Sequence, residues 1–190
     1  MKLVFATNNQ HKLEEARQIA ADGIEILSLS DIGCHESIPE DYDTIEENSL
    51  QKARYIRDKY GYACFSDDTG LFVDALGGAP GVYSARYAGP DCSPADNIAK
   101  LLAELRGVAN RKACFRTVAT LCDDNGDIQV EGRVDGEIAT DEAGTEGFGY
   151  DPIFIASETG TRFAEMSADQ KNAISHRGRA LRKLFDFLRK

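Results

Sequence analysis

The sequence lacks an excess of positive charge and lacks a long apolar run. Lysine and arginine number 22 against 32 aspartate and glutamate residues, so the formal net charge is −10. A protein that coats DNA or RNA needs a basic stripe, and a nucleic-acid polymer is therefore not expected as a partner. A small anion held by a few local lysines stays possible. No apolar run approaches the length of a membrane span, so no membrane partner is expected either.

The cysteines lack the spacing of a zinc site or a disulfide framework. Five are present, an odd number, and none forms a C-x-x-C pair. They are typical of reduced thiols, which favours a cytoplasmic location. The chain starts with a strand-like segment rather than a signal peptide, because Lys2 precedes only four apolar residues.

The pattern of elements predicts an α/β fold. The chain has 190 residues, 42% of them hydrophobic, which suffices for one domain (1–190) or two tightly packed lobes. Lys2–Ala6 reads as a strand and Leu13–Ala21 as a helix, and a capping box from Thr44 to Glu47 opens a second helix. Asp124-Asn125-Gly126 predicts a hairpin. The order β-α-β-α-β, then a hairpin and a helix, indicates a mixed central sheet with flanking helices.

The stretch from Ser66 to Gly89 organises the chain. Asp67 and Asp68 follow an apolar run, Tyr62–Phe65, with Ser66 between the run and the acids. A strand that ends in two carboxylates would present acids at a rigid edge, where a hard cation or a reacting water is held. The alternative is a solvated acidic turn between two strands.

Other polar segments allow a functional and a structural interpretation. The turn 7–12 before the first helix suits a phosphate, or is a polar turn with a solvated Lys12. Lys52 is a ligand or a solvated helix lysine. The glycine-rich loop Gly144–Asp151 carries Phe148 and Tyr150, whose rings stack on a flat ligand or fill the core. Gly178 predicts a helix break near Ser175–Gly178 within the helical segment Ser167–Lys190, next to His176 and Arg177.

Five segments together resemble the inosine/xanthosine triphosphate pyrophosphatase family. In chain order they read ATNNQHKLEEA, ENSLQKA, SDDTGLFVDALGGAPGVYSARYAG, GFGYDPIF and AEMSADQKNAISHRGRAL. The resemblance covers essentially the whole chain. It implies hydrolysis of a nucleoside triphosphate to the monophosphate and pyrophosphate with Mg²⁺. It also implies a homodimer of elongated two-lobed subunits, each with a substrate cleft between the lobes.

The resemblance also implies a role for individual residues. Asp68 would be the general base, Glu40 and Asp68 the metal ligands, and Asp67 a supporting acid. Substrate would be bound by Thr7, Asn8, Asn9, Gln10, His11, Lys12, Lys52, Thr69, Phe148, Gly149, Tyr150, Asp151, Lys171, His176 and Arg177. Phe148 would stack on the purine, and Lys12 and Lys52 would hold the triphosphate. Asn8 stands where the family often has glycine and Thr69 where it often has serine, while Glu40 is assigned by its spacing to Lys52.

Preference for ITP, dITP and XTP would arise at the purine edge. Donors there match the 6-keto oxygen of hypoxanthine or xanthine, whereas the 6-amino group of adenine would face another donor. Two alternatives are a related pyrophosphatase with another base preference and a nucleotide-binding module without activity. The second is disfavoured because a pure binder has no need for acids facing a polyphosphate.

Overall fold

The computed structural model describes residues 1–189. Its five α-helices are α1 (Gln10–Ile19), α2 (Ile45–Tyr60), α3 (Pro94–Glu104), α4 (Ala168–Ile174) and α5 (His176–Leu188). Its eight strands are β1 (Lys2–Phe5), β2 (Glu25–Leu27), β3 (Cys64–Val73), β4 (Pro80–Gly81), β5 (Lys112–Asp123), β6 (Gly126–Ile138), β7 (Phe154–Ala156) and β8 (Thr161–Arg162). Over this described range, no helix combines the length and the hydrophobicity needed to cross a bilayer.

The strands form one mixed sheet in the order β2-β1-β3-β5-β6-β7-β8, with β4 paired to β3. β1 pairs in parallel with both β2 and β3, whereas β4, β7 and β8 pair antiparallel with their neighbours. The predicted mixed α/β fold is therefore confirmed.

The chain divides into two compact units, each with its own apolar core. The first unit comprises Met1–Asp68, Thr117–Gly132 and the chain from His176 onward, and the second comprises Thr69–Arg116 and Arg133–Ser175. In the first unit, Phe5 and Phe65 stack in parallel with ring centroids 4.4 Å apart, and Phe185 meets Phe65 edge-on. In the second unit, Phe115, Phe154 and Phe163 form the aromatic centre. The elongated shape with a cleft stays a prediction.

Local capping signals set several boundaries. The Thr44 side chain accepts the N–H of Glu47 and begins α2, as its capping box predicts. The helix break near Gly178 is also confirmed, since Ser175 separates α4 from α5; Lys190 lies outside the described residues. α1 begins at Gln10, three residues before the predicted start, because the side chain of Asn9 caps it by accepting the N–H of Lys12.

Candidate active site

Strand β3 does not end at the two acids but runs through them to Val73. Because side chains alternate along a strand, Phe65 and Asp67 share one face, and Ser66 and Asp68 share the other. Phe65 packs in the core that α1 and α5 help to build, whereas Ser66 contacts Ser49 of α2. Adjacent acids therefore lie on opposite faces of one strand, in different surroundings, rather than in a solvated turn.

Asp67 is a buried carboxylate held between cations. It is 1% exposed. The Lys12 ammonium donates to Oδ1 at 2.9 Å, and Nε of Arg177 donates to Oδ2 at 2.7 Å. Burial alone would raise the pKa of Asp67, but the charges of Lys12, Arg177 and Lys52 lower it well below its usual range. Asp67 is thus ionised at neutral pH, and its negative charge compensates the cations beside it.

Arg177 is fixed at a second point by Glu15. Nη1 of Arg177 donates to the carboxylate of this α1 residue. Two acids from two elements therefore hold a guanidinium that is 2% exposed. Against the cost of burial, the charges of Asp67 and Glu15 raise the pKa of Arg177 further, so the guanidinium stays charged.

Asp68 has the opposite electrostatic environment. Burial raises the pKa of its carboxyl, and the negative charges of Glu40 and Asp67 add to the effect, against the lysine charges of Lys52 and Lys12. Its side chain is 13% exposed, and Oδ1 lies 3.9 Å from the Lys52 ammonium. A partly accessible carboxylate with an elevated pKa is a better proton acceptor than an ordinary surface aspartate, so Asp68 is suited to act as a base.

Lys52 connects the two acids of β3 and the loop that carries Glu40. Its ammonium donates to the backbone carbonyl oxygen of Asp67 at 2.7 Å and to the carboxylate of Glu40. Burial acts against its charge, but Asp68, Glu40 and Asp67 together raise the pKa of Lys52. Lys52 is therefore a buried, charged helix lysine and not a solvated one.

Lys12 is also close to Asp67, but its pKa is shifted in the opposite direction to that of Lys52. Burial lowers the pKa of its ammonium, and the nearby charges of Lys52 and Arg177 lower it further against the effect of Asp67. An added anion would relieve the repulsion among these three cations. The cluster therefore brings three cations together within an acidic protein, each paired with a carboxylate.

The segment before and within the first turn of α1 is mostly exposed. Asn8, Asn9, Gln10 and His11 are exposed and Thr7 is half-buried. The Thr7 hydroxyl accepts the N–H of Asn9, and the Gln10 amide donates to Glu14. Lys12 is the member of this segment that reaches the Asp67 cluster.

His176 begins α5, directly before Arg177, and is buried. Its position depends on Gly132 of β6, because a Cβ at 132 would collide with the carbonyl oxygen of His176 and the backbone nitrogen of Ala180. The absence of a side chain at 132 lets the start of α5 lie directly on the strand, which places Arg177 against Asp67.

In the second unit, the glycine-rich loop holds a different set of predicted residues. Lys171 donates to Asp151 at 2.7 Å, and its ammonium lies 4.6 Å from the centroid of the half-buried Phe148 ring. The Asp151 carboxylate also accepts the N–H of Phe148 at 3.1 Å. The Tyr150 ring fills the core, and its hydroxyl donates to the carbonyl oxygen of Ser84. Phe148 is thus the ring of this loop with a partly accessible surface.

The remaining predicted residues of the second unit are Thr69 and Gly149. Thr69 is half-buried in β3, and Gly149 has a φ of 60° next to Phe148. A left-handed conformation at 149 strains any other residue, so the loop bends there at a glycine.

The acids of this site suit a magnesium ion better than a metal that takes all of its ligands from the protein. Within residues 1–189, no group of three or more His, Cys, Asp or Glu side chains is arranged to hold a metal. Mg²⁺ needs only one or two carboxylates and takes its other ligands from water and phosphate. Glu40 and Asp68 both approach the Lys52 ammonium and supply that number.

Sequence reasoning missed Glu15, Ser49 and Thr120. Glu15 follows Lys12 by three residues on α1, a helical spacing that places both on one side and offers a signal in the sequence. Ser49 bonds Ser66 at 3.1 Å and Thr120 at 2.7 Å between hydroxyl oxygens, which ties α2 to β3 and β5. No local pattern predicts that contact, because its members lie far apart in the chain.

Fold and site together describe an α/β protein in which buried lysine and arginine side chains surround one acid of β3 and a second, partly accessible acid follows it. The chain belongs to the Ham1 family, whose model matches residues 3–187. It is 52% identical over 188 residues to a dITP/XTP pyrophosphatase of Porphyromonas gingivalis, covering 98% of this chain and 97% of the relative. A Flavobacterium johnsoniae protein of the same name is 51% identical over 188 residues, with 99% and 98% covered. The resemblance to a pyrophosphatase family is confirmed.

Solved structures are similar over the same length. A Ham1 protein from Staphylococcus aureus matches with a TM-score of 0.89 at 36% identity, covering 100% of this chain and 98% of that one. A HAM1 protein from Coxiella burnetii matches with a TM-score of 0.90 at 36% identity, with 99% and 98% covered. The similarity in sequence thus extends to the whole fold.

Proposed function

We propose that the protein hydrolyses ITP, dITP and XTP to the monophosphate and pyrophosphate and so removes them from the nucleotide pool. The observation that carries the proposal is the pair of adjacent acids on β3. Asp67 neutralises buried cations, while Asp68 has a raised pKa and a partly accessible carboxylate. The name of the two relatives, dITP/XTP pyrophosphatase, supports the same substrates.

Three cations of the first unit would bind the phosphate groups. Lys12, Lys52 and Arg177 are buried or nearly so, and each is bonded to a carboxylate, which fixes its direction. Fixed charges in a site of low polarity interact with an anion more strongly than mobile surface charges do. The N-terminus of α1 adds the positive end of its helix dipole, which favours an anion.

Asp68 would accept the proton of the attacking water. A general base works best when its pKa approaches the working pH, and the raised pKa of Asp68 moves the carboxylate in that direction. The Lys52 ammonium, 3.9 Å away, acts against this rise in pKa and favours the ionised carboxylate. Phosphoryl transfer requires little covalent catalysis by the protein, so most of the rate enhancement comes from positioning and electrostatic stabilisation.

Glu40 and Asp68 would hold Mg²⁺. When bound there, Mg²⁺ supplies neutralisation of charge on the phosphoryl oxygens and lowers the pKa of a coordinated water. For the base, Phe148 offers a half-buried ring, held in place by the N–H bond to Asp151 and by the Lys171 ammonium. Stacking on this ring contributes affinity but little choice between bases.

A cytoplasmic homodimer is proposed as well, on the family resemblance, and sedimentation of the purified protein tests the dimer.

Pyrophosphate release from ITP, measured with Mg²⁺ and with excess chelator, tests the reaction. We expect release with Mg²⁺ and loss of it with chelator. A panel of ITP, XTP, GTP, dUTP and methylated nucleotides separates the proposed substrates from another base preference. No release from any of these nucleotides would contradict the proposal and leave a binding module.

The variant Asp68→Asn tests the assigned base. It keeps the size of the side chain but removes the proton acceptor, so kcat should fall by about 10² or more while nucleotide binding persists. Asp135→Asn, in an exposed pair with Arg133, is the matched control and should keep the wild-type rate. Equal rates for Asp68→Asn and the wild type would remove Asp68 from the mechanism.

A further inference from the structure

The loop that carries Glu40 is exposed, yet it is anchored at two consecutive residues. The backbone N–H of Tyr42 donates to Oδ1 of Asn48 at 2.9 Å, and Nδ2 of Asn48 donates back to the Tyr42 carbonyl oxygen at 3.1 Å. The N–H of Asp41 donates to Oε1 of Gln51 at 2.9 Å, and Nε2 of Gln51 donates to the Asp41 carboxylate at 2.6 Å. Two side-chain amides of α2 thus make four hydrogen bonds to the loop.

Both amides lie on the helix face that carries Lys52. Residues 48, 51 and 52 are separated by three and four positions, so their side chains point to one side of α2. On that side, Asn48 and Gln51 bond residues 42 and 41, and the Lys52 ammonium bonds the Glu40 carboxylate. One helix face therefore contacts three consecutive loop residues.

These bonds are not needed to begin the helix. The N-cap of α2 is already supplied by Thr44, whose side chain accepts the N–H of Glu47. The Asn48 side chain is also buried, with the residue 2% exposed, and a buried amide that both donates and accepts is costly to leave unsatisfied. Its hydrogen bonds are therefore directed at the loop.

We infer that Asn48 and Gln51 are positioning residues that hold the segment 40–43 so that the Glu40 carboxylate faces Lys52 and Asp68. They touch neither substrate nor metal and act through Glu40. The part of this inference that concerns Mg²⁺ rests on the proposed function. Without the amides, the loop would sample many conformations, and Glu40 would be available as a ligand for only a fraction of the time.

Asn48→Asp is the informative variant because it keeps shape and one acceptor but loses the donor. A carboxylate would then face the carbonyl oxygen of Tyr42, which repels it. Gln51→Ala removes the second anchor at a half-buried position and carries the test if Asn48→Asp does not fold. Asp58→Ala, an exposed acid on the same helix, is the matched control.

Two measurements distinguish positioning from general stability. Hydrogen–deuterium exchange of the metal-free protein should show faster exchange of the Asp41 and Tyr42 amides in both anchor variants, but not in Asp58→Ala. The Mg²⁺ concentration that gives half-maximal ITP hydrolysis should rise about 10-fold or more, as for other residues that orient a metal ligand. The KM for ITP at saturating Mg²⁺ should change less.

Unchanged exchange at residues 41 and 42, or an unchanged Mg²⁺ requirement, would overturn the inference. A uniform rise in exchange across the whole of α2 would do so too, because it indicates a merely structural role. If the wild type hydrolyses no nucleotide, the proposed function is wrong, and the exchange measurement alone still decides whether the two amides hold the loop.

Discussion

Replacing Asp67 with asparagine should destabilise the protein strongly. The variant keeps the shape of the side chain but leaves the buried charges of Lys12 and Arg177 without their carboxylate, at 2.9 and 2.7 Å in the wild type. Removing one partner of a buried ion pair costs about 3–5 kcal/mol, because the remaining charge stays desolvated. Asp67 is shared by two cations and has Lys52 nearby, so we expect the upper part of that range.

Thermal unfolding followed by circular dichroism measures the effect. For a chain of this size, 1 kcal/mol corresponds to roughly 2–4 °C, so the unfolding midpoint should fall by about 8–20 °C. Asp135→Asn breaks an exposed pair with Arg133 and should leave the midpoint unchanged within error. A midpoint for Asp67→Asn within about 2 °C of the wild type would refute the account of Asp67 as the acid that compensates buried cations.

Three further outcomes are expected. Because the pKa of Asp67 is lowered in the folded state, its contribution to stability is present above the unfolded pKa and is lost as pH falls. In urea unfolding from about pH 5 downward, the free energy of unfolding should therefore decrease less with falling pH in Asp67→Asn than in the wild type. Ser49→Ala should lower the free energy of unfolding by about 1 kcal/mol in urea titrations, since it removes the hydroxyl that bonds Thr120 while Thr120 still accepts a bond from Gln129. An unchanged midpoint would contradict the bond. Tyr150→Phe should cost about 1 kcal/mol in the same assay through loss of the bond to Ser84, and KM for ITP should not change if the Tyr150 ring is only a core residue.

The features that the sequence predicts well depend on neighbouring residues. Thr44 and Glu47 are three positions apart and cap the helix that they predict. Asp124-Asn125-Gly126 connects β5 and β6, as its turn chemistry requires. The break falls within the predicted segment Ser175–Gly178, at Ser175, which has an extended conformation, whereas Gly178 lies inside α5. In each case the energy that decides the structure comes from residues within one turn of each other.

The features that the sequence does not predict depend on distant contacts. The sequence predicts that the strand ends at Asp67 and Asp68, and charged residues in the middle of a buried strand are costly. The strand continues because Lys12 and Arg177, 55 and 110 residues away, compensate one acid. The short strands β7 and β8 are likewise defined by pairing with partners rather than by their own pattern.

The position of Glu40 shows the same limit. Glu40 is assigned through the family resemblance by its spacing to Lys52, and the structure brings the two side chains into contact. The anchoring of its loop by Asn48 and Gln51 requires knowledge of the loop path, which residues 36–43 do not encode by any periodic pattern. The sequence thus predicts several residues of the candidate site, but the arrangement of these residues depends on the fold.

The stacked rings of Phe5 and Phe65 have a consequence for the chemistry two residues further along β3. Their pairing fixes the register of β1 against β3. A slip of one residue would turn every side chain of β3 to the other side of the sheet. Asp68 would then meet the lysine and arginine of α1 and α5, and Asp67 would take the place beside α2. A contact between two hydrocarbon rings therefore determines which aspartate balances the buried cations and which one is left to take up a proton.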